Sequence, residues 1–440
     1  MGSSACVVGL GKLGAPLAAC LAARGLRVIG VDVDPDKVAA VNAGRAPVSE
    51  PGLQEMLGKA QGRLTAMSQI EPAVRDTDLT FIVVSTPSEP DGSFSLRYVE
   101  PACQAIGRAL AARNDYHVVC LTSTVMPGTT GGRARALLEE ASGKHCVRDF
   151  GLCYSPEFIA LGTVIRDFLN PDMLLIGESD PRAGDRLEAL YKQVCENRPA
   201  VARMNFLNAE ITKLSVNAYV TTKISFANML ARICERLPGA DVDVITSALG
   251  LDTRIGPRYL KGAVSYGGPC FPRDNLAMAA LARQLGMPTG LPEAVDRFNR
   301  WQVRWLADLV QHYRPASVGI LGLTYKPGTD VVEEAAGLRL AQELAKRGLG
   351  VTAYDPEGKA NSARVLPKRV QFAATAQECI AQSDVVVLTT PWPEFGSIPF
   401  ADWARAHHPR VVIDCWRMLK RLDGQEGVVY LSLGTGRSVA

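Results

Sequence analysis

At both ends of the chain, short apolar runs bounded by glycine, proline and small hydroxyl residues alternate with helix-length segments, whereas the middle keeps a helical period. The first run is Ala5–Leu10, followed by Gly11-Lys12-Leu13-Gly14, an alanine-rich stretch through Ala23, and a second run, Arg27–Val31, closed by Asp32. Such runs, separated by amphipathic segments, predict strands of a parallel sheet with crossover helices. Two more predicted strands, Thr80–Val84 and His117–Leu121, end in Ser85-Thr86-Pro87 and Thr122-Ser123-Thr124, and Gly151–Tyr154 runs into Ser155-Pro156-Glu157-Phe158. From Asn208 the period changes. Ile211, Leu214, Ala218 and later apolar positions recur at helical spacing with no proline before Pro238, which predicts one long helix over Ala209–Arg236. Helical sequence continues in pieces to Val310, interrupted by Tyr266–Asp274. At Ser317 the opening plan returns. Val318–Leu323, a helix from Ala335 to Arg347, and Val351–Tyr354 closed by Asp355 precede strands Val385–Leu388 and Val411–Ile413. The expected fold class is therefore α/β, with two doubly wound domains, 1–205 and 313–440, joined by a helical domain, 206–312, built on a long spine helix.

The first strand-to-helix turn reads G-x-G-x-x-G, with an acid at the end of the next strand, the plan of a Rossmann-like dinucleotide site. Gly9 permits the tight turn, Gly11 lets a pyrophosphate approach the helix N-terminus, and Gly14 allows helix and strand to pack closely. Asp32 can accept from ribose hydroxyls and would repel a 2′-phosphate, so NAD is expected over NADP. Thr86 and Thr124 fall at carboxyl ends of strands, the ligand side of an open parallel sheet, although taken singly either is more readily read as a cap or turn residue. Lys213 and Asn217 are one turn apart and share a helix face, either as donors aimed at one spot or as part of a solvated stripe. In Tyr-Gly-Gly-Pro-Cys-Phe-Pro-Arg-Asp, two glycines and two prolines fix the backbone around Cys270. With Asp274 as N-cap of a helix starting at Asn275, the thiol would lie near the positive end of a helix dipole, which favours a nucleophilic thiolate. The alternative is a small buried cysteine in a tight turn. The second domain's first loop, Thr324–Asp330, is too long and polar for a dinucleotide and suits a different phosphate ligand.

Composition narrows the partners. The 440 residues are 47% apolar and 21% charged with a net charge of +3, and basic residues form no run with interleaved aromatics, so neither nucleic acid nor an anionic membrane is expected. Eleven scattered cysteines without a C-x-x-C pair favour a reducing compartment, hence the cytoplasm, and argue against structural zinc; no metal is expected. No signal peptide or membrane span is expected.

Taken together, these segments resemble the UDP-glucose/GDP-mannose dehydrogenase family over nearly the whole chain. Its S-T-V-x-P-G-T segment resembles Ser123–Thr129, its S-P-E-F segment Ser155–Phe158, and its K-x-x-x-N helix Lys213–Asn217. The G-G-x-C-x-P-[KR]-D loop resembles Gly267–Asp274, and L-G-L-[TS]-[FY]-K-x-x-T-D resembles Leu321–Asp330. The resemblance implies a four-electron oxidation of a nucleotide-sugar C6 alcohol to a carboxylate, with two NAD and a covalent intermediate on Cys270. Lys213 and Asn217 would stabilise the oxyanion, Asp274 and Thr124 would hold the water or proton path, and Glu157 would assist thioester hydrolysis. It further implies cofactor contacts from Gly9, Gly11, Lys12, Leu13, Gly14, Asp32, Lys37, Thr86, Thr124 and Arg273. The nucleotide sugar would meet Glu157, Phe158, Lys213, Asn217, Arg254, Tyr259, Tyr266, Gly267, Gly268, Tyr325 and Lys326. Arg254 is similar to a family arginine that reaches the neighbouring subunit's substrate, which implies a homodimer through the central helix.

Two departures bear on the substrate: Leu161 stands where the family often has a second glutamate, and Pro269 and Arg273 flank the cysteine. The N-acetylhexosamine branch usually reads P-E-R where this chain has Pro156-Glu157-Phe158, so a plain hexose is expected, UDP-glucose first and GDP-mannose as an alternative. More distant alternatives are a two-electron hydroxyacid dehydrogenase of the 6-phosphogluconate type and a silent nucleotide-sugar binder.

Overall fold

The computed structural model describes residues 4–60 and 62–436. The chain forms two compact units, Met1–Ser215 and Val216–Ala440. The first holds an eight-stranded sheet of Ser4–Val8 (β1), Arg27–Val31 (β2), Leu64–Met67 (β3), Leu79–Ile82 (β4), His117–Leu121 (β5), Phe150–Tyr154 (β6), Met173–Glu178 (β7) and Ala200–Met204 (β8). Its order is β3-β2-β1-β4-β5-β6-β7-β8, parallel throughout except for β6 against β7. Strands buried on both faces read as continuous apolar runs, which is why β1 and β5 were legible as strands without alternation. Ala5 and Val7 of β1 pack with Leu17, Leu21 and Tyr191 on one face, while Cys6 and Val8 pack with Ile106, Leu110 and Leu138 on the other.

The second unit repeats the plan with Ser317–Leu321 (β9), Gly350–Tyr354 (β10), Gln371–Phe372 (β11), Val385–Leu388 (β12), Arg410–Asp414 (β13) and Val428–Ser432 (β14), all parallel, in the order β11-β10-β9-β12-β13-β14. Here too alternate residues divide between two cores, Val385 and Val387 on one face and Val386 and Leu388 on the other. The spine helix spans Phe206–Cys234, three residues earlier at its start than the periodicity suggested, because Asn205 caps it: the Asn208 N–H donates to Asn205 Oδ1 at 2.9 Å. It begins in the first unit and ends in the second. Among the described residues, no helix is long and apolar enough to cross a membrane.

Candidate active site

In the first unit, β1 ends at Val8 and the chain turns through Gly9 at φ 102°, a conformation open to glycine. A Cβ on Gly14 would lie 1.8 Å from the Gly9 carbonyl oxygen, so the helix Gly14–Ala23 starts this close to the strand only as glycine. A Cβ on Gly11 would meet nothing within 4 Å, which leaves the gap a pyrophosphate needs. Asp32, buried at the end of β2, accepts from Leu10 N at 2.7 Å and Asp34 N at 3.0 Å, with Lys37 Nζ at 3.5 Å. Each carboxylate oxygen has two lone pairs, so capacity for ribose hydroxyls is left. These residues fit a dinucleotide. Lys12 and Leu13 lie on the same turn, Leu13 being exposed.

Thr86 and Thr124 meet at the ends of β4 and β5, where Thr86 Oγ1 donates to the Thr124 carbonyl at 2.7 Å. After β6, Lys213 Nζ donates to the Glu157 carbonyl oxygen at 2.5 Å and lies 4.7 Å from the centre of the Phe158 ring. Glu157 lines a pocket together with Leu13, Leu17, Val83, Ile159, Val164 and Phe168, and its carboxyl Oε1 is sealed from solvent without a hydrogen-bond partner. Burial pushes this carboxyl up to about 7, and the Lys213 charge opposes the shift. Glu157 is thus not the solvated surface acid that its loop position would allow.

In the second unit, the helix Phe271–Gln284 starts one turn before the sequence reading placed it. Cys270, not Asp274, occupies the N-cap position, and the Asp274 N–H already donates to the Cys270 carbonyl at 2.8 Å. Pro272, which costs nothing in the first helical turn, makes the earlier start possible. Relieved of capping, the Asp274 carboxylate is buried and accepts from Asn217 Nδ2 at 2.6 Å, with Arg273 Nε at 3.4 Å. All eleven cysteines are thiols outside any disulfide; Cys270 is exposed and the other ten are buried.

The loop leading to Cys270 is held by two asparagines that sequence reasoning did not single out. Asn228 accepts from Ala263 N at 2.7 Å and donates to Val264 O at 2.8 Å; Asn299 accepts from Tyr266 N at 2.8 Å and donates to Tyr266 O at 3.0 Å. A buried asparagine inside a helix is the signal that could have drawn attention to them. Past Tyr266, a Cβ on Gly267 would lie 2.4 Å from Glu334 O, and one on Gly268 2.8 Å from the Tyr325 ring, so the loop fits against the 325–335 segment only as Gly-Gly. Tyr259 and Tyr266 both pack edge-on to Phe271. Lys326 Nζ is 5.9 Å from the centre of the Tyr325 ring. Arg254 is exposed and paired with Asp252 at 2.6 Å. Structure therefore gathers the candidate residues into two groups. Gly9–Gly14, Asp32, Lys37, Thr86, Thr124, Glu157, Phe158 and Lys213 belong to the first unit; Asn217, Arg254, Tyr259, Tyr266, Gly267, Gly268, Cys270, Arg273, Asp274, Tyr325 and Lys326 belong to the second.

Three models of one family match successive segments of the chain. Models of the UDP-glucose/GDP-mannose dehydrogenase family match as the NAD binding domain over residues 3–195, the central domain over 207–301 and the UDP binding domain over 319–421. A UDP-glucose 6-dehydrogenase of Haloferax volcanii is 36% identical over 97% of this chain and 99% of its own length. A GDP-mannose 6-dehydrogenase of Pseudomonas aeruginosa is 34% identical over 87% of this chain and 90% of its own. The solved structure of a UDP-glucose dehydrogenase from Pyrobaculum islandicum superposes with a TM-score of 0.91 at 36% identity, covering 99% of this chain and 98% of that one.

Proposed function

Since the chain belongs to the UDP-glucose/GDP-mannose dehydrogenase family, whose members here are NAD-dependent nucleotide-sugar 6-dehydrogenases, we propose that it converts UDP-glucose to UDP-glucuronate in a four-electron oxidation held on Cys270. The observation that carries this reading is Cys270 itself, the exposed thiol among eleven, set at the N-terminus of a helix with the buried Asn217–Asp274 pair one turn on. The chemistry supplied by bound NAD is hydride acceptance, once per oxidation. After the first oxidation, Cys270 Sγ adds to the C6 aldehyde, and the resulting thiohemiacetal loses a second hydride and its hydroxyl proton to become a thioester. Lys213 and Asn217 have donors beyond those used here and stabilise the oxyanion. Glu157, whose carboxyl titrates near neutrality, takes the proton of the water that cleaves the thioester, with Thr124 and Asp274 on the proton path. Lys326 meets the phosphates. The 1–205, 206–312 and 313–440 division assigns these steps to an NAD domain, a cysteine-bearing helical domain and a sugar-nucleotide domain.

The P-E-F sequence supports a plain hexose and the full-length match to a UDP-glucose enzyme supports UDP-glucose; GDP-mannose remains the second reading because relatives named for it are similarly identical. Exposed Tyr219, Phe226, Met229 and Ile233 along the spine helix support a homodimer there, and Arg254 then serves the neighbouring subunit. A cytoplasmic location follows from the reduced cysteines this reading requires. The decisive experiment is Cys270→Ser assayed for acid with a panel of UDP- and GDP-hexoses. Binding of cofactor and sugar nucleotide is expected to persist while acid formation falls by about a thousandfold or more, because an alkoxide is scarce at neutral pH. Acid formation within a few-fold of the parent would remove Cys270 from the mechanism.

A further inference from the structure

The loops that carry Thr124 and Glu157 close with the same device. Four residues after Thr124, Gly128 turns at φ 93°, and five after Glu157, Gly162 turns at φ 87°. In each case the next residue is a threonine whose N–H and hydroxyl both donate to the carbonyl three residues back. Thr129 donates to Met126 O at 3.1 and 2.6 Å, and Thr163 to Ala160 O at 3.0 and 3.0 Å. Thr129 follows its left-handed glycine at φ −68°, ψ −49° and Thr163 follows its own at φ −141°, ψ 20°, and each turn leaves two N–H groups facing one side, a concavity that takes an anion. Both concavities are filled from far along the chain by a glutamate. Glu210 Oε2 accepts from Gly128 N at 2.6 Å and its Oε1 from Thr130 N at 2.7 Å; Glu50 Oε2 accepts from Gly162 N at 2.9 Å and its Oε1 from Val164 N at 2.8 Å.

We propose that Glu50 and Glu210 are positioning residues, each fixing one reaction loop through its Gly-Thr turn: Glu210 the Thr124 loop, Glu50 the Glu157 loop. This rests on the roles read for Thr124 and Glu157 above. Glu210 is fully buried on the first turns of the spine helix, three residues before Lys213, so one helix end holds the Thr124 loop by Glu210 and the Glu157 carbonyl by Lys213. Glu50 is partly exposed and comes from the 43–52 segment. It holds the Glu157 loop from the other end, beyond Leu161, where no second glutamate is available. Charge-assisted bonds to paired N–H groups are stronger and more directional than neutral ones, which suits the placement of a base to a fraction of an ångström.

The test uses the full-length enzyme with UDP-glucose and NAD. Glu50→Ala is expected to leave the NADH burst and both KM values within about threefold and to lower the steady rate by about tenfold, with Glu50→Gln, which keeps one acceptor, in between. Because Glu50 acts through Glu157, adding Glu50→Ala to Glu157→Gln should lower the rate no further, whereas adding it to Thr124→Ala should multiply the two losses. Glu210→Gln should show the mirror-image pattern, and Glu50 alone carries the test if the buried variant does not fold. A Glu50→Ala rate equal to the parent, or losses that multiply in the Glu157→Gln background, would overturn the positioning role while leaving the role of Glu157 standing. Glu157→Gln at the parental rate would overturn both.

Discussion

In the first unit Leu10 N donates to Asp32 Oδ2 at 2.7 Å, and in the second Leu323 N donates to Asp355 Oδ2 at the same distance. The turning glycines match as well, Gly9 and Gly322 both at φ 102°, and each has a helix glycine pressed on its carbonyl, Gly14 and Gly337. Beyond this point the two sheets differ in what their carboxylates are left to do. Asp32 keeps lone pairs for a ribose, and Glu157 keeps an oxygen without a partner. Asp355 Oδ2 takes Leu323 N, Thr324 N, Thr324 Oγ1 and Trp392 Nε1, while its Oδ1 takes Glu357 N and Gly358 N. Asp414, at the end of β13, is likewise filled by Trp416 N, Leu419 N and Tyr430 Oη. One architecture thus carries two arrangements: an acid with the spare capacity that a dinucleotide's ribose would require, and the same acid fully bonded, which locks a loop.

The largest effects should come from the paired glycines. Gly337→Ala would place a Cβ 1.9 Å from the Gly322 carbonyl oxygen, and Gly14→Ala one 1.8 Å from that of Gly9. Each is expected to cost about 4 kcal/mol or more, because backbone must move. Calorimetry should then find NAD binding lost in Gly14→Ala and sugar-nucleotide binding lost in Gly337→Ala; loss of the same ligand in both would erase the distinction between the sheets. Next, Asp355→Ala should destabilise by about 3 to 4 kcal/mol in chemical denaturation, since several buried donors lose their acceptor. Asp32→Ala should cost only about 1 kcal/mol yet narrow the preference for NAD over NADP about tenfold. Equal stability losses, or unchanged selectivity, would contradict the contrast.

Glu157 adds a pH test. Its folded value, raised to about 7 from 4.5, means the folded protein holds a proton there that the unfolded chain has released. The associated stability is full below about pH 4.5 and is lost as pH rises through 7, up to about 3 kcal/mol. Glu157→Gln should flatten the stability profile between pH 5 and 8, and hydrolysis by the parent should quicken as pH passes about 7. A parental profile unchanged by the substitution would place the carboxyl in water. The smallest effect is expected from Trp392→Phe, which removes one N–H shared between Thr324 Oγ1 and Asp355 Oδ2 at 3.2 Å, about 1 kcal/mol with cofactor preference unaltered.

Local features were legible in the chain and distant ones were not. The strand, turn and helix from Ser4 to Ala23 depend on neighbours in sequence, so G-x-G-x-x-G and the acid ending the next strand could be read as this strand-turn-helix unit. The length of the Thr324 loop likewise marked the second sheet as different. Trp392, which closes over Asp355, is 68 positions from Thr324, and Glu50 and Glu210 reach their turns across 112 and 82 positions; no local pattern encodes such pairings. The misplaced cap has the same origin. Asp274 has the chemistry of an N-cap, but Asn217, 57 positions earlier, takes its carboxylate, and Pro272 lets the helix begin at Phe271.

The most direct test of a four-electron oxidation held on Cys270 is to supply UDP-glucose in limiting amount with excess NAD and count NADH by absorbance while the sugar product is identified by mass. Two NADH per sugar with UDP-glucuronate as the product is the expected result. One NADH per sugar, with the C6 aldehyde free in solution, would contradict it.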